Sequence, residues 1–261
     1  MKTKKSLRVS IIGTGNIATH LARAIAYSDF DLVHIVSRDI LRAKALAQEV
    51  SAQGIDQLSL LESNCDIVIL AVKDEALKAE LLHQIPKDII ICHSSGTVGI
   101  NILNTHARQG VFYPLQTFSK QKSVDFRSVP ICLEANSKEV FNVLNTLAQT
   151  ISTKVFAVNS EQRKALHIAA VFASNFTNLM YDISEKLCHE AGLDFDILRP
   201  LISETADKVQ EYLPHEVQTG PAVRNDSKTI ESHLKALNKH PDYQKIYRLL
   251  TQEIIQNNEE L

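Results

Sequence analysis

Leu7-Arg8-Val9-Ser10-Ile11-Ile12-Gly13-Thr14-Gly15-Asn16-Ile17-Ala18 sets the reading of the whole chain. A β-branched apolar run ends in Gly-x-Gly-x-x-Ala, and an alanine-rich amphipathic segment, Thr19 to Tyr27, follows at once. The pattern is strand, tight turn, helix, in which free amides at a helix N-terminus hold the pyrophosphate of a dinucleotide. Short glycine motifs recur by chance, so the flanking strand and helix carry the weight. Gly13, Thr14, Gly15, Asn16, Ile17 and Ala18 are the candidate cofactor-binding turn. The bland alternative is a tight turn in an α/β protein that binds nothing.

Outward from that turn, apolar strand-like runs alternate with helical patterns. Strands are expected at Arg8–Ile12, Leu32–Val36, Asp66–Val72, Ile89–His93, Gly110–Tyr113, Val129–Leu133 and Lys154–Ala157. Helices are expected between them at Ile40–Val50, Glu75–Gln84, Ile100–Ala107 and Lys138–Thr150. Nearly continuous apolar strands fit a sheet buried on both faces. The pattern changes near Asn159: Ser160 to Glu190 reads as one long helix ended by Ala191-Gly192. Phe195–Tyr212, kinked at Pro200, then Ser227–Asn238 and Asp242–Gln256 follow. The expected fold is an α/β Rossmann domain, doubly wound with a mainly parallel sheet, over residues 1–157. An all-α domain is expected over 158–261, with its last five residues frayed.

A chain of 261 residues with a net charge of −2 does not fit a general nucleic-acid or membrane-surface binder. Met1-Lys2-Thr3-Lys4-Lys5 is basic, but no signal core follows it, and no stretch approaches the ~20 apolar residues of a membrane span. A cytoplasmic location is expected. Cys65, Cys92, Cys132 and Cys188 have no paired spacing, and three of them sit in or beside apolar runs, as small buried hydrophobes do. No His-x-x-x-His or carboxylate cluster predicts a metal site.

Cofactor choice is read at the end of the second strand. An acid there accepts hydrogen bonds from a free ribose 2′-hydroxyl. Here Ser37 takes its place and Arg38 follows, a guanidinium suited to a 2′-phosphate. NADP is therefore favoured over NAD. Asp39 reads as the cap of the next helix, and an ordinary solvated loop at Ser37-Arg38 stays open.

Ligands of such sheets bind beyond the carboxyl ends of the strands. Val72 and Lys73 follow one strand and are candidate cofactor contacts, unless Asp74 simply caps the next helix. His93-Ser94-Ser95-Gly96-Thr97 follows another; His93, Ser95 and Gly96 are candidate substrate contacts, against a plain serine-rich turn. Tyr113 and Gln116, around Pro114, could line the same cleft. On the long helix His167, Val171, Ser174, Asn175 and Asn178 share a side. Polar groups on an apolar helix are costly to bury alone, so a wet cleft is expected there. His167 is the natural acid/base, with Asn175 and Ser95 beside it and Asn178 on the substrate; a satisfied interface histidine is the alternative. Arg224, in Thr219-Gly220-Pro221-Ala222-Val223-Arg224, is a candidate clamp for an anionic group, while Asp226 or Ser227 caps the next helix.

Taken together, the chain resembles the bacterial predicted oxidoreductases that pair an N-terminal Rossmann domain with a helical domain of unknown function. The matching pieces are Gly13–Ala18, His93-Ser94-Ser95-Gly96, Tyr113-Pro114-Leu115-Gln116-Thr117-Phe118, His167–Asn175 and Thr219–Arg224. It is more distantly similar to the 6-phosphogluconate, 3-hydroxyisobutyrate and prephenate dehydrogenases and to pyrroline-5-carboxylate reductase. The resemblance implies a helical domain like that of 6-phosphogluconate dehydrogenase, and a homodimer formed through it. Where β-hydroxyacid dehydrogenases carry lysine and then asparagine four residues on, this chain has Lys164 and Ile168, so His167 with Asn175 would substitute. Prephenate dehydrogenases have His-Pro-Met where this chain has Tyr113-Pro114-Leu115. The expected function is an NADP-dependent oxidoreductase acting on a small anionic carbonyl, imine or hydroxyacid. A non-catalytic NADP-binding sensor and a deazaflavin-using reductase are the other readings.

Overall fold

Strand β1 (Arg8–Ile12) lies inside an eight-stranded sheet in the computed structural model, which describes residues 7–61 and 65–259. Met1–Lys5 and the last two residues lie outside the described residues. Helix α1 (Asn16–Ala26), β2 (Asp31–Val36), α2 (Ile40–Glu49), β3 (Gln53–Ile55) and β4 (Ile67–Leu70) follow. Then come a short α3 (Ala79–Leu82), β5 (Ile90–His93), β6 (Gln109–Pro114), β7 (Ile131–Ala135), α4 (Lys138–Ile151) and β8 (Val155–Ala157). The strand order is β3-β2-β1-β4-β5-β6-β7-β8, parallel throughout except between β6 and β7. The expected mainly parallel α/β sheet followed by helices is present. Its order reverses between β1 and β4, which opens a crevice past their carboxyl ends.

Period-two alternation divides the core. Val9, Ile11, Ile67 and Ile69 face α1, α2 and α4, packing with Leu21, Ile25, Leu46 and Leu144. Ile12, Val68, Leu70 and Ile91 face the other way. That second face departs from expectation. The helices expected over 75–84 and 100–107 are instead 3₁₀ turns at Asp74–Ala76 and Ile100–Leu103, plus the single turn of α3. Leu77, Leu82, Ile85 and Leu103 still reach the sheet, so helix-like spacing is met by turns. Lys78 is extended and breaks the first segment, and the Ile100 amide is taken by the Ser160 hydroxyl. The sequence reading also missed β3, three residues with a glycine at their centre. Gly54 lets α2 lie against the strand, since an added Cβ would come within 2.6 Å of Lys44 backbone atoms.

Beyond β8 the long helix is present but not uniform. Helix α5 (Ser160–Ala170) passes into a π-helical stretch, Val171–Phe176, and continues as α6 (Thr177–Glu190). The expected kink at Pro200 is absent. A 3₁₀ turn covers Phe195–Leu198, and α7 (Arg199–Glu211) begins with Pro200 in its first turn, where a missing N–H breaks no helical bond. Helices α8 (Ser227–Ala236) and α9 (Pro241–Glu259) complete the chain, so the segment expected to fray is helical through Glu259. The chain divides into two compact units, 1–175 and 176–261. Among the described residues no helix is long and apolar enough to cross a membrane, and no group of three or more His, Cys, Asp or Glu side chains is placed to hold a metal ion.

His34, His93 and His106 are all buried, and burial is the first cause holding each imidazole below its ordinary pKa, His93 at about 4. An unfolded histidine takes its proton near pH ~6.5, so below that the unfolded state binds more protons. Stability from this source is full above pH ~6.5 and is lost as the pH falls towards the folded-state values. Melting followed by circular dichroism should therefore show a midpoint that declines steadily from about pH 6.5 towards 4. His34→Gln, which cannot titrate but can still meet the Ser10 hydroxyl 3.0 Å from Nδ1 in the native protein, should flatten that decline.

Candidate active site

The turn after β1 brings its backbone against β4. Gly13 has φ +130°, and a Cβ there would stand 2.2 Å from the Ala71 carbonyl oxygen. Its own N–H donates to Val36 at 2.8 Å, while the Ala71 N–H donates to Ile12 at 2.9 Å. Ala18 is wholly buried beneath Gly13. Gly15 differs: a Cβ added there would meet no protein atom within 4 Å, so packing of the chain on itself does not explain it. Gly15 is also the N-cap of α1 and supplies no side-chain cap, whereas Asp39, Ser137 and Asn159 cap α2, α4 and α5. Uncapped amides and open space above a glycine fit a pyrophosphate. The Asn16 amide group is spent elsewhere, donating to the Phe118 carbonyl at 2.8 Å.

At the end of β2, the Ser37 N–H donates to Ile55 at 3.1 Å and Arg38 is exposed. Asp39 caps α2 as expected, accepting from the Leu41 and Arg42 amides at 3.1 and 3.2 Å. The sequence reading missed Arg42, whose Nε lies 3.2 Å from Asp39. With Thr14, Arg23, Glu49 and Lys120 it lines a cavity of about 130 Å³ beside the glycine turn. Arg42 lies in the first turn of α2, four residues after Arg38, and that nearness in sequence was the available signal.

The second cluster is built from β5, β6 and α5. Tyr113 Oη and His167 Nδ1 are 3.1 Å apart, with ring centroids 6.2 Å apart and edge-on. Gly96 makes room for both: a Cβ there would lie 2.6 Å from His167 Nδ1 and 3.0 Å from Tyr113 Cζ. Burial pushes the Tyr113 phenol up to about 12, so it stays protonated at neutral pH. His93 lies wholly buried beneath this loop, and its Nδ1 accepts from the Ser95 amide at 3.2 Å. The Ser95 hydroxyl accepts from the Thr97 and Val98 amides at 3.1 and 3.0 Å, folding the loop on itself. Thr97 in turn donates to Asp74 at 2.6 Å. His93 and the Ser95 oxygen thus shape the loop, and Gly96 is its point of contact with the imidazole.

Further along, Thr117 and Ser174 hydroxyls meet at 2.7 Å, so the chain leaving β6 is tied twice to the helix. Ser174 and Asn175 sit in the π stretch, a helix variant common at functional sites. Gln116 accepts from the Thr117 amide at 2.8 Å. Val72 and Lys73 follow β4 at the crevice end of the sheet. Asn178, at the start of α6, and Arg224, in the turn before the Asp226 cap of α8, belong to the second unit.

Comparison with known proteins fits this geometry. Residues 8–104 match the family described as NADP oxidoreductase, coenzyme F420-dependent, and residues 129–254 match a domain of unknown function, DUF2520. A Bacteroides fragilis structure assigned to the NADP oxidoreductases is 41% identical, over 96% of this chain and 98% of that one, with a TM-score of 0.88. The chain belongs to this NADP oxidoreductase family. Two other structures share the fold. Pyrroline-5-carboxylate reductase from Streptococcus pyogenes is 15% identical over 98% and 99% of the chains, TM-score 0.66. Reductive aminase from Aspergillus terreus, solved with NADPH and ethyl levulinate, is 12% identical over 98% and 95%, TM-score 0.75. No curated protein matches.

Two glycine substitutions probe the two clusters of this chain. Gly13→Ala forces a Cβ onto backbone at a positive φ and should cost about 2 kcal/mol or more in chemical denaturation. Gly96→Ala meets a movable ring instead. It should fold and bind NADPH by fluorescence titration, while the His167 imidazole loses the NMR signature of its bond to Tyr113.

Proposed function

We infer that the chain is an NADPH-linked oxidoreductase that moves a hydride to or from a small anionic carbonyl, imine or hydroxyacid. The observation that carries the reading is the Tyr113–His167 pair held against Gly96, at the same strand ends as the cofactor turn. NADPH supplies the hydride. A hydroxyl is both donor and acceptor, so Tyr113 serves either charge state of its neighbour. It accepts from Nδ1–H when the ring is charged and equally when the ring is neutral with its Nε2 lone pair free. His167 can therefore give up or take a proton at Nε2 without losing its anchor. Asn175 is assigned to orienting the substrate or the ring, and Asn178 and Arg224 to holding the substrate, Arg224 at its anionic end.

For the cofactor, the absence of an acid at the end of β2 and the Arg38–Arg42 pair support a 2′-phosphate. The second unit supports a homodimer. Among its described residues only Ala222 and Leu234 are buried hydrophobics, while Leu179, Leu193, Ile197, Leu201, Leu213 and Leu249 are exposed. Helices with apolar faces and so small a core need a further surface, and a second copy of this chain provides it.

Fluorescence titration should show NADPH binding at least about tenfold tighter than NADH, with Arg38→Ala and Arg42→Ala each removing much of that preference. Equal affinities in the wild type would remove the phosphate argument. On a panel of keto acids, imines and hydroxyacids, His167→Ala should keep NADPH affinity and lose turnover by about 10²-fold or more. A wild type that binds NADPH but turns over nothing would favour the sensor reading. Light scattering should give twice the chain mass.

A further inference from the structure

Arg163 is one helical turn ahead of His167 on α5, and its side chain is wholly buried. A buried guanidinium is costly unless its donors are met; here both terminal nitrogens are met and Nε is not. One terminal nitrogen pairs with Glu134 of β7, and the other donates to the Val98 carbonyl, in the loop after Gly96, and to Ser160 Oγ at 3.3 Å. Ser160 Oγ donates to Glu134 at 2.8 Å and accepts from the Ile100 amide at 3.1 Å. The helix turn bearing His167, strand β7 and the Ser95–Gly96 loop are thus joined by one buried pair. The same charge adds to burial in keeping His93 neutral, which leaves the His93 Nδ1 lone pair for the Ser95 amide.

A buried ion pair is a poor net stabiliser, and an apolar side chain would fill the space at least as well. What an apolar side chain lacks is direction. Residues four apart share a helix face, so a fork that fixes Arg163 also fixes the rotation of α5 at His167. Lysine has three donors but they rotate about one atom, so it could meet the same acceptors without fixing the direction of its stem.

We propose that Arg163 is a positioning residue: by gripping Glu134, Ser160 and the Val98 carbonyl together, it sets how His167 and Tyr113 stand against Gly96. The importance of that placement for turnover rests on the oxidoreductase reading of the same site.

The test uses the full chain in three variants. Arg163→Lys keeps the charge, Glu134→Gln keeps an acceptor, and Ile25→Ala is a destabilised control whose side chain packs in the core on the other face of the sheet. In Arg163→Lys the ¹⁵N-edited imidazole spectrum of His167, assigned with His167→Gln, should lose its single Nδ1-bonded state, while NADPH affinity stays within about twofold because the glycine turn is untouched. Glu134→Gln should shift the same signal in the same direction, and it carries the test if Arg163→Lys does not fold. Ile25→Ala should lower the melting temperature and leave the signal alone. A wild-type His167 spectrum in folded Arg163→Lys or Glu134→Gln overturns the proposal, as does an equal change in Ile25→Ala. The spectrum needs no substrate, so failure of the functional reading would appear separately, as wild-type inactivity on the substrate panel.

Discussion

The closeness of two backbones, Gly13 after β1 and Ala71 after β4, is the constraint on which the first unit depends. With no side chain between them, the turn packs over Ala18 and α1 starts directly behind β1. That placement aims the uncapped end of α1 across the crevice where the strand order reverses. Had the turn needed room for a Cβ, the helix would begin farther out and its amides would point past the crevice. The chemistry available to the fold is therefore decided at a position where a side chain is impossible.

The second cluster obeys a similar logic with different means. Gly96 does not adopt an unusual backbone; it removes bulk so that an imidazole and a phenol can converge. Around it the polar groups are used internally. Ser95 closes its own loop, His93 supports the Ser95 amide, Thr97 reaches Asp74 and Ser174 reaches Thr117. Rigidity comes from short bonds between neighbouring residues, which keep the imidazole in its place.

Much of this was legible in the sequence, for identifiable reasons. Gly13 and Gly15 signal a backbone shape directly, and the Asp39 cap is a local event within three residues. His167 and Tyr113 could each be placed, one on a helix face and one at a strand end, but not together. Their meeting depends on the order of β5 and β6 and on the missing Cβ of Gly96, none of which is local. Arg163 reads as an ordinary surface residue in a polar first turn, because Glu134 and Val98, which it ties together, are 29 and 65 residues away. The helices expected over 75–84 and 100–107 misled for the opposite reason: apolar spacing marks the side chains that reach the core, and turns can deliver the same ones.

The wide turn at Val171–Phe176 decides where this stretch can change length. A π turn is an α-helix carrying one residue too many, taken up within a single wide turn. Loss of one residue there would restore regular winding, because the slack is removed where it is stored. Helix α5 before it holds no such slack, and a residue lost or gained between Arg163 and His167 would turn the imidazole by about 100° on the helix. The count of residues is thus fixed ahead of His167 and free to vary by one just beyond it.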